Sequence, residues 1–348
     1  MKIVVNDIAA SGSGAMTVLR DFYEYVCEND HENQWIFLLN DRYFEETDNV
    51  KILTLPAVKR NPFRKLLFDF ITGRKYIGAL QPDVVFSLQN IITFGMKVPQ
   101  VAYIHQSIPF QTVKRFSFLK ASERKMAVIQ YLIGAVIKRS AKKSSKVITQ
   151  TRWIKDAICS QCGLPEDKVV TVAPDVVVQM PDVAETQFDR TSFFYPSTPA
   201  IYKNNECILQ ASAILDREEV PHKIVLTLPA EQSKGNVDCV GRLPYQEVLE
   251  RYTSTTLLFP SYIETFGYPL AEARKMGAIV LASDCPFSRE VLDGYENAYY
   301  FDPFCPEALA ELMKKVVSGE IERKMISPEK LQEKNSWQTV IEQVLTCK

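Results

Sequence analysis

The sequence lacks the signals of a membrane-spanning, secreted or disulfide-stapled protein. No apolar run among its 348 residues approaches the roughly 20 residues that a membrane span needs. Met1 leads directly into the apolar run KIVV, so we expect no secretory leader. The eight cysteines have no scaffold-like spacing, and the lone CxxC, Cys159 and Cys162, is interpreted as incidental. A reducing cytoplasm is the expected location.

The sequence is also poor in residues that bind metals and cofactors. It has three histidines, no DxD motif and no cluster of His and Cys ligands, so we predict that no metal ion is essential. A glycine-rich loop at residues 6–15 (NDIAASGSGA) does not match GxGxxG, and no dinucleotide site is inferred from it. We therefore predict no cofactor.

What the sequence does have is the composition of a globular protein of two domains. Apolar residues make up 46% and charged residues 24% of the chain, which is typical of proteins with an ample core. The length suits two domains of roughly 150 to 180 residues each. Short apolar runs alternate with helical patterns, which predicts α/β domains with parallel sheets. The predicted strands are residues 3–5, 35–39, 84–87, 101–104, 147–149, 193–195, 224–227, 257–260 and 278–282, and the predicted helices include 15–27, 205–215 and 245–252.

The most informative stretch runs from residue 257 to residue 283. It contains an apolar strand, a polar loop at 261–268, a short helix that Pro269 opens and Gly277 closes, and a second apolar strand. This order predicts a βαβ unit with a right-handed crossover. Ligands of open α/β sheets bind beyond the carboxyl ends of the strands, so we expect the loop to face a site.

The loop and the helix carry two carboxylates, Glu264 and Glu272. Between them, Gly267 has no side chain to block an anion, and the amides of Gly267 and Tyr268 lie where the helix dipole favours negative charge. A nucleotide-sugar suits such a place, because its diphosphate can meet the amides while its hydroxyls donate to the carboxylates. The plainer alternative is that Glu272 only complements the helix dipole and Glu264 is solvated.

This pattern resembles the E-x7-E motif of the retaining glycosyltransferases of family four, which have the GT-B fold. The matching positions are Glu264, Phe266, Gly267, Pro269, Leu270, Glu272, Ala273, Gly277 and Ala282-Ser283-Asp284. The resemblance implies an α/β protein of two Rossmann-like domains whose parallel sheets face each other across a cleft. We place an acceptor-binding domain at residues 1–172, a linker at 173–190, a nucleotide-sugar-binding domain at 191–335, and a helix at 336–348 that packs back on the first domain.

The resemblance also implies roles for individual residues. Glu264 would hold hydroxyls of the donor sugar and Glu272 the ribose diol, while Lys203 and the amides near Gly267 would stabilise the leaving diphosphate. Glu264 and Lys203, together with His105, are the expected catalytic residues. The remaining residues assigned to the donor nucleotide and its phosphates are Thr198, Arg242, Leu243, Thr265, Phe266 and Tyr268.

One position departs from the family's pattern. An Arg usually stands five residues before the lysine, and the two cations neutralise the diphosphate together, but this chain has Thr198 there. Arg242 and Lys234 are the candidates to replace that Arg. Residues 240–243 (VGRL) resemble the segment through which the family holds the nucleotide base by backbone contacts.

In the first domain, the resemblance points to a histidine and to the glycine-rich loop. His105 follows a predicted strand and would contact the donor sugar near the reacting carbon, although Gln106 stands where the family often has Asp. A lone histidine is more often structural, so both interpretations stay open. Gly12, Ser13 and Gly14 would line the acceptor side of the cleft, and a tight strand-to-helix turn is the alternative.

The charge of the chain is unevenly distributed. Residues 51–180 hold 21 Lys and Arg against 7 Asp and Glu, whereas the whole chain has a net charge of −1. The cations concentrate in residues 59–76 and 114–146, where apolar side chains lie between them. Such segments suit an anionic membrane surface, and two core helices with solvated cationic rims are an equal alternative. No recognised nucleic-acid motif accompanies the charge, so no nucleic acid is predicted as a partner.

These features together predict a retaining glycosyltransferase. It would move a sugar from a UDP- or GDP-sugar to a hydroxyl of a glycan or polyprenyl-linked glycan. Analogy suggests bacterial capsule, O-antigen or other cell-surface polysaccharide synthesis, with the protein cytoplasmic and peripheral on the inner face of the membrane. A GT-B sugar-nucleotide epimerase, a non-catalytic sugar-binding protein and a structural or nucleic-acid-binding role are the alternatives.

Overall fold

The computed structural model describes residues 1–10, 13–176, 178, 187–325 and 336–347. They form two β-sheets in which every pairing of strands is parallel, which confirms the predicted α/β class. The first sheet contains β1 (Lys2–Asn6), β2 (Gln34–Leu39), β3 (Val50–Thr54), β4 (Val84–Ser87), β5 (Gln100–Ile104), β6 (Lys146–Thr149) and β7 (Val169–Thr171). The second contains β8 (Ser192–Tyr195), β9 (Lys223–Leu226), β10 (Val237–Cys239), β11 (Thr256–Phe259), β12 (Val280–Ser283) and β13 (Ala298–Phe301).

Each sheet has one point at which the strand order reverses. The first sheet has the order β3-β2-β1-β4-β5-β6-β7, and the second has the order β10-β9-β8-β11-β12-β13. The reversals lie between β1 and β4 and between β8 and β11. Crossovers leave in opposite directions at such a point and open a crevice at the carboxyl ends of the strands. Each sheet therefore offers one natural place for a ligand.

Helices follow most strands. They are α1 (Ser13–Asn29), α2 (Pro56–Lys59), α3 (Pro62–Leu67), α4 (Gly73–Ala79), α5 (Arg124–Ala127), α6 (Gly134–Lys143), α7 (Arg152–Cys162), α8 (Asn205–Arg217), α9 (Tyr245–Ser254), α10 (Tyr268–Lys275), α11 (Pro286–Val291), α12 (Pro306–Ser318) and α13 (Ser336–Leu345). A π-helical turn, Phe68–Thr72, joins α3 to α4, and a second, Val128–Ile133, joins α5 to α6. None of the helices described is long and apolar enough to cross a membrane.

The two sheets have separate aromatic cores. In the first, Phe22 of α1 packs edge-on against Trp35 of β2, with 5.7 Å between ring centroids, and against Phe86 of β4 at 5.2 Å. In the second, Tyr195 of β8 and Phe259 of β11 pack edge-on at 5.5 Å. All of these side chains are fully buried. Close packing thus fixes the strands nearest each switch point.

The last helix, α13, lies against the first sheet. The ring of Trp337 packs 5.1 Å from that of Phe22 and 6.0 Å from that of Tyr103 in β5. The ammonium of Lys146 donates a 2.7 Å hydrogen bond to Oε1 of Gln343. The chain therefore returns to its first half after completing the second sheet.

The two halves also touch beside the second sheet's switch point. The carbonyl of Thr265 accepts hydrogen bonds from Oγ1 of Thr151 and Nε1 of Trp153, both at 3.0 Å. The carboxylate of Glu290 in α11 accepts from the amides of Arg152 and Trp153, at 2.6 and 2.9 Å, and so satisfies the free N–H groups at the start of α7. These contacts join the carboxyl end of β6 to the loop that follows β11.

The predicted strands all exist, with boundaries that differ by a residue or two, but four strands were missed. These are β3, β7, β10 and β13, which are the two edge strands of each sheet. Interior strands of a parallel sheet are covered on both faces and read as continuous apolar runs. Edge strands are partly exposed and include polar residues, as Lys51 in β3 and Asp238 in β10 show, so their apolar signal is broken.

Candidate active site

The loop of residues 260–267 crosses the carboxyl edge of the second sheet at its switch point. The amide of Tyr262 donates to the carbonyl of Tyr202 at 3.1 Å, and Oγ of Ser283 donates to the carbonyl of Ser261 at 2.5 Å. The loop is thereby held against the short helical turn Ile201–Lys203 that follows β8. Residues from three separate strand ends consequently meet at one place.

An ion pair lies at the centre of this place. Nζ of Lys203 is 2.5 Å from Oε1 of Glu264, and the two side chains are only 15% and 17% exposed. Oγ of Ser261 donates to the same oxygen at 2.8 Å, so Oε2 accepts no hydrogen bond from the described residues. Burial by itself lowers the pKa of Lys203, but the adjacent Glu264 carboxylate outweighs burial and holds that pKa above its ordinary value. The ammonium is therefore charged at neutral pH, and the structure brings these two predicted residues together.

Lys203 is positioned by the residue that follows it. Asn204 adopts a left-handed backbone conformation with φ of 58°, a region that asparagine tolerates better than most residues. Its Nδ2 donates to the carbonyls of Pro260 and Pro303, at 3.3 and 2.6 Å. These carbonyls follow β11 and β13, so one side chain fastens the turn of Lys203 to two neighbouring strand ends.

The amino terminus of α10 adjoins this ion pair. Gly267 precedes the helix with φ of 90°, where any other residue would be strained. A Cβ at this position would also lie 3.2 Å from Cδ1 of Leu270. The amides of Gly267 and Tyr268 donate to no described residue, so they are available to an anion, and the helix dipole reinforces them.

Glu272 has a different environment, because two tyrosines of α9 hold its carboxylate. Oε1 accepts from the hydroxyl of Tyr245 at 3.2 Å, and Oε2 accepts from the hydroxyl of Tyr252 at 3.1 Å. Burial raises the pKa of Glu272, and the two tyrosine hydrogen bonds oppose that rise. Tyr252 is fully buried, whereas Tyr245 is exposed. Both oxygens of Glu272, the predicted ribose ligand, therefore accept hydrogen bonds from tyrosines, and the exposed Tyr245 is the partner that is easier to displace.

His105 lies at the carboxyl end of β5, and its tautomer follows from its contacts. Its backbone amide donates to Oδ1 of Asn90 at 2.7 Å, which orients the Asn90 side chain so that Nδ2 donates to Nε2 of His105 at 3.1 Å. Burial lowers the pKa of the ring to about 4, so at neutral pH the proton resides on Nδ1. That atom is buried and has no partner among the described residues. A buried N–H donor without a partner among the described residues thus lies at the carboxyl end of β5.

Of three further predicted residues, Thr265 connects His105 to the loop. Oγ1 of Thr265 donates to the carbonyl of His105 at 2.7 Å, so the strand end in the first half meets the loop in the second. The rings of Phe266 and Tyr268 pack edge-on with 5.4 Å between centroids. Burial raises the pKa of the Tyr268 phenol, so it remains a hydrogen-bond donor at neutral pH.

Within the part of the chain that the structure describes, no second cation pairs with Glu264 beside Lys203. Thr198 is exposed, and only its backbone carbonyl is engaged, by Ser197 and Asn205. Arg242 is exposed in the loop between β10 and α9, and Lys234 is exposed in the turn before β10. Neither cation contacts Lys203 or Glu264. Leu243 is half-buried and packs on the core of the second sheet.

The glycine-rich loop of the first half is only partly described. Gly12 lies outside the described residues. Ser13 and Gly14 are the first two residues of α1, although the sequence placed them in the loop before it. A Cβ on Gly14 would meet no atom within 4 Å, so packing within the protein does not require glycine there. Among the described residues, no three His, Cys, Asp or Glu side chains are grouped as a metal site would need.

Two family models match this chain. The model for glycosyl transferases of group 1 matches residues 213–333, which include Glu264 and Glu272, and the model for glycosyltransferase family 4 matches residues 12–178, which include His105. Together they span most of the sequence. The chain belongs to the group 1 glycosyltransferases. No sequence among curated proteins matches it significantly.

Solved structures of other glycosyltransferases share its architecture. WaaG, a glycosyltransferase involved in lipopolysaccharide biosynthesis, has a TM-score of 0.70 at 14% identity over 99% of this chain and 100% of its own. Alr3699/HepE of Anabaena, in complex with UDP and glucose, has a TM-score of 0.63 at 14% identity over 99% and 95%. WaaB, a lipopolysaccharide outer core galactosyltransferase, has a TM-score of 0.62 at 16% identity over 93% and 92%. The two facing sheets are thus the GT-B fold, as the sequence predicted.

Several residues that position this glycosyltransferase site were missed from the sequence. Ser261 orients Glu264, Asn90 orients His105, and Tyr245 and Tyr252 hold Glu272. The two tyrosines are seven residues apart in a predicted helix and so share one face, which was a readable signal. The roles of Ser261 and Asn90 depend on loop conformation, and no spacing rule would have revealed them.

Proposed function

We propose that this group 1 glycosyltransferase is a retaining enzyme that takes a nucleoside-diphosphate sugar, with UDP or GDP as the nucleotide. Its acceptor is a hydroxyl of a glycan or polyprenyl-linked glycan, in the synthesis of a bacterial cell-surface polysaccharide such as capsule or O-antigen. The observation that carries the proposal is the buried Lys203–Glu264 ion pair beside the free amides at the start of α10.

The chemistry follows from where charge develops. Departure of the diphosphate places negative charge on the leaving group and positive, oxocarbenium-like charge on the sugar. The ammonium of Lys203 and the amides of Gly267 and Tyr268 are positioned before the reaction and stabilise the former. Because these groups supply positive charge themselves, we propose that the reaction needs no essential metal ion and no cofactor.

The anionic partner of Lys203 has a second purpose in this proposal. One oxygen of Glu264 is engaged by Lys203 and Ser261, which fixes the carboxylate in place. The other oxygen, Oε2, is left to accept from a hydroxyl of the donor sugar. A carboxylate that already neutralises a lysine orients the sugar without repelling the diphosphate as strongly as an unpaired one would.

Binding of the donor's ribose to Glu272 requires an exchange of hydrogen bonds. For Glu272 to hold the ribose diol, the exposed Tyr245 must release Oε1, while the buried Tyr252 can remain on Oε2. The ribose hydroxyls then replace a phenol with donors of similar strength. We propose that this exchange accompanies nucleotide binding, with Leu243 and Arg242 near the base and Thr198 near the phosphates.

His105 contributes a hydrogen-bond donor rather than a base. We propose that its Nδ1–H, which has no partner among the described residues, donates a hydrogen bond to a hydroxyl of the donor sugar near the reacting carbon. We propose that the acceptor approaches along the segment of Gly12, Ser13 and Gly14. Its hydroxyl attacks from the face that the diphosphate leaves, so the anomeric configuration is retained.

The test combines nucleotide binding with sugar transfer. Thermal unfolding is measured with UDP, GDP and free sugars, because a ligand at a hundredfold excess over its Kd should raise the free energy of unfolding by about 2.7 kcal/mol. UDP is the first choice, since HepE was crystallised with UDP-glucose. The nucleotide that stabilises the chain is then supplied as its sugar conjugate with glycan acceptors, and the anomeric configuration of the product is read by NMR.

Three outcomes would contradict the proposal. Stabilisation by free sugars, with neither UDP nor GDP effective, would indicate a sugar-binding protein. Conversion of the donor to its epimer without any acceptor would indicate an epimerase. A product of inverted anomeric configuration would remove the retaining mechanism while leaving the transferase intact.

A further inference from the structure

Two segments of the first half expose apolar side chains that a core helix would bury. In residues 59–76, Phe63 is 80% exposed, and Leu66, Leu67 and Ile71 are also exposed. Phe63, Leu67 and Ile71 recur at helical spacing and form one stripe. Phe68 and Asp69 are buried on the opposite side. The stripe therefore faces solvent along the length of α3 and the π-helical turn that follows it.

The second segment, residues 114–146, repeats the arrangement. Leu119 is 91% exposed in the loop before α5, and Val128, Tyr131 and Leu132 are exposed along the helix. The intervening Ala127 and Gln130 are buried. The alternative of two core helices with solvated cationic rims does not account for these exposed apolar side chains, which contact water as the neighbouring cations do.

The acids of both segments point inward. Asp69 is the only acid in residues 59–76, and it is buried and bonded to Lys65 at 2.5 Å. Glu123 is the only acid in residues 114–146, and it is buried, accepts from the amide of Ser117 at 2.9 Å and pairs with Lys114 at 3.4 Å. The exposed cations that have no acidic partner among the described residues are Arg60, Arg64, Arg74, Lys75, Arg115, Arg124, Lys125, Arg139, Lys142 and Lys143. The two segments thus expose apolar side chains and cations but no acid.

The two segments lie side by side. Phe70 of the first segment stacks on Phe94, with 4.4 Å between the ring centroids. The guanidinium of Arg139, in the second segment, lies 5.5 Å from the centroid of the same Phe94 ring. The side chain of Arg74 approaches the backbone of Gly95, next in the chain. The loop that contains Phe94 and Gly95 thus contacts both segments and places them next to each other.

We propose that residues 59–76 and 114–146 form a membrane-docking surface that binds an anionic lipid bilayer. The cations would lie at the level of the lipid headgroups and attract anionic lipids. The exposed apolar side chains, such as Phe63 and Leu132, would insert between the headgroups and the acyl chains. Nucleic acid would neutralise the cations but leave the aliphatic side chains in water. A symmetric pairing of two copies would bring positive charge against positive charge.

The surface adjoins the crevice. Its segments follow β3 and β5, whose carboxyl ends lie at the same edge of the first sheet as His105. A bilayer on this surface would face the opening through which an acceptor reaches the site. The docking proposal does not rest on the proposed reaction, since vesicle binding requires neither a donor nor turnover.

The experiment is co-sedimentation of the full chain with vesicles of phosphatidylcholine, with and without about one-third phosphatidylglycerol. We expect binding only to the anionic vesicles, weakening with salt. Arg64→Glu should weaken binding more than tenfold, since each cation near the surface is worth roughly fivefold. Phe63→Ser should weaken it severalfold at every salt concentration, because salt does not screen apolar insertion.

Matched controls come from the second half of the chain. Arg217→Glu repeats the charge reversal and Met325→Ser repeats the apolar loss at exposed positions outside the surface, and both should bind as the wild type does. Melting temperatures of all variants verify folding. Equal binding to neutral and anionic vesicles, or equal losses in the controls, would overturn the proposal.

Two other results would also overturn it. A dimer in light scattering that Phe63→Ser dissociates would assign the surface to a second copy of the chain. Salt-dependent binding to nucleic acid that outcompetes the vesicles and is unchanged in Phe63→Ser would assign it to nucleic acid.

Discussion

The crevice and the membrane-docking surface treat charge in opposite ways. In the crevice, Lys203 is paired with Glu264 and both are largely buried. On the docking surface, the acids Asp69 and Glu123 are turned inward, and the exposed cations other than Lys120 have no acidic partner among the described residues. A buried charge without a partner is costly, whereas an exposed one is not. The comparison teaches that charge in the crevice is neutralised within the protein, by the pairing of Lys203 with Glu264. The exposed cations of the surface are left to be neutralised by a binding partner.

The largest expected effect concerns Asp7, a third acid of the first half that is buried near lysines, as Asp69 and Glu123 are. Asp7, at the end of β1, is buried near Lys65 and Lys59. Burial raises its pKa from 3.8 to about 7, although the two lysines oppose the rise. Because the unfolded chain releases this proton at lower pH, the free energy of unfolding should fall as pH rises from about 4 to about 7 and then level off.

Asp7→Asn removes the pH-dependent fall in the free energy of unfolding, because asparagine does not titrate. A shift of about three pKa units corresponds to about 4 kcal/mol, so the variant should gain roughly this much relative to the wild type between pH 4 and pH 8. Urea unfolding at several pH values measures it, with the exposed Asp48→Asn as the control that keeps the wild-type profile. A constant difference between wild type and Asp7→Asn across this range would show that Asp7 is not held as a buried acid.

The next largest effect tests the paired charge of the crevice. Lys203→Ala should lower turnover about 10²- to 10³-fold, because it removes a preorganised positive charge at the diphosphate. Lys223→Ala is the matched control, since Lys223 is largely exposed and pairs only with the surface residue Asp238. Steady-state rates with saturating donor measure the effect. Unchanged turnover in Lys203→Ala would remove this residue from the mechanism.

The smallest effect separates the two tyrosines on Glu272. Tyr245→Phe removes the phenol that competes for Oε1, so nucleotide should bind about two- to fivefold more tightly. Tyr252→Phe leaves the buried Oε2 without a donor, so it should weaken nucleotide binding and destabilise the fold by about 1–2 kcal/mol. Calorimetric titration with the nucleotide distinguishes them. Identical effects of both substitutions would contradict the proposed exchange.

Much of the fold could be predicted from sequence because burial leaves a pattern. The interior strands β1, β4, β5, β8, β11 and β12 are covered on both faces and read as apolar runs. The edge strands were missed because they are partly exposed and contain polar residues among the apolar ones, so they do not read as apolar runs. In the site, Glu264 and Glu272 were found through their spacing in one motif. Lys203 and His105 needed the family resemblance, because long separations in sequence carry no spacing signal, and the residues Ser261 and Asn90 that orient the site were missed.

Other features could not be predicted from any local pattern. Whether the apolar residues of 59–76 and 114–146 are buried or exposed depends on what the rest of the chain packs against them. The tautomer of His105 depends on Asn90, which reaches it from another strand end with φ of 67°. The hydrogen bonds from Tyr245 and Tyr252 to Glu272 depend on how α9 lies beside α10.

By itself, the sequence determined the alternation of strands and helices, the loop with Gly267 before α10 and the uneven charge, because these follow from local composition and backbone preference. Tertiary structure alone decided that Lys203 neutralises Glu264, that two phenols occupy Glu272, and that the acids of the basic segments face inward. Each of these is a contact between strand ends or helices distant in sequence. Contacts of that kind are set by how whole elements pack, which no short window of residues contains.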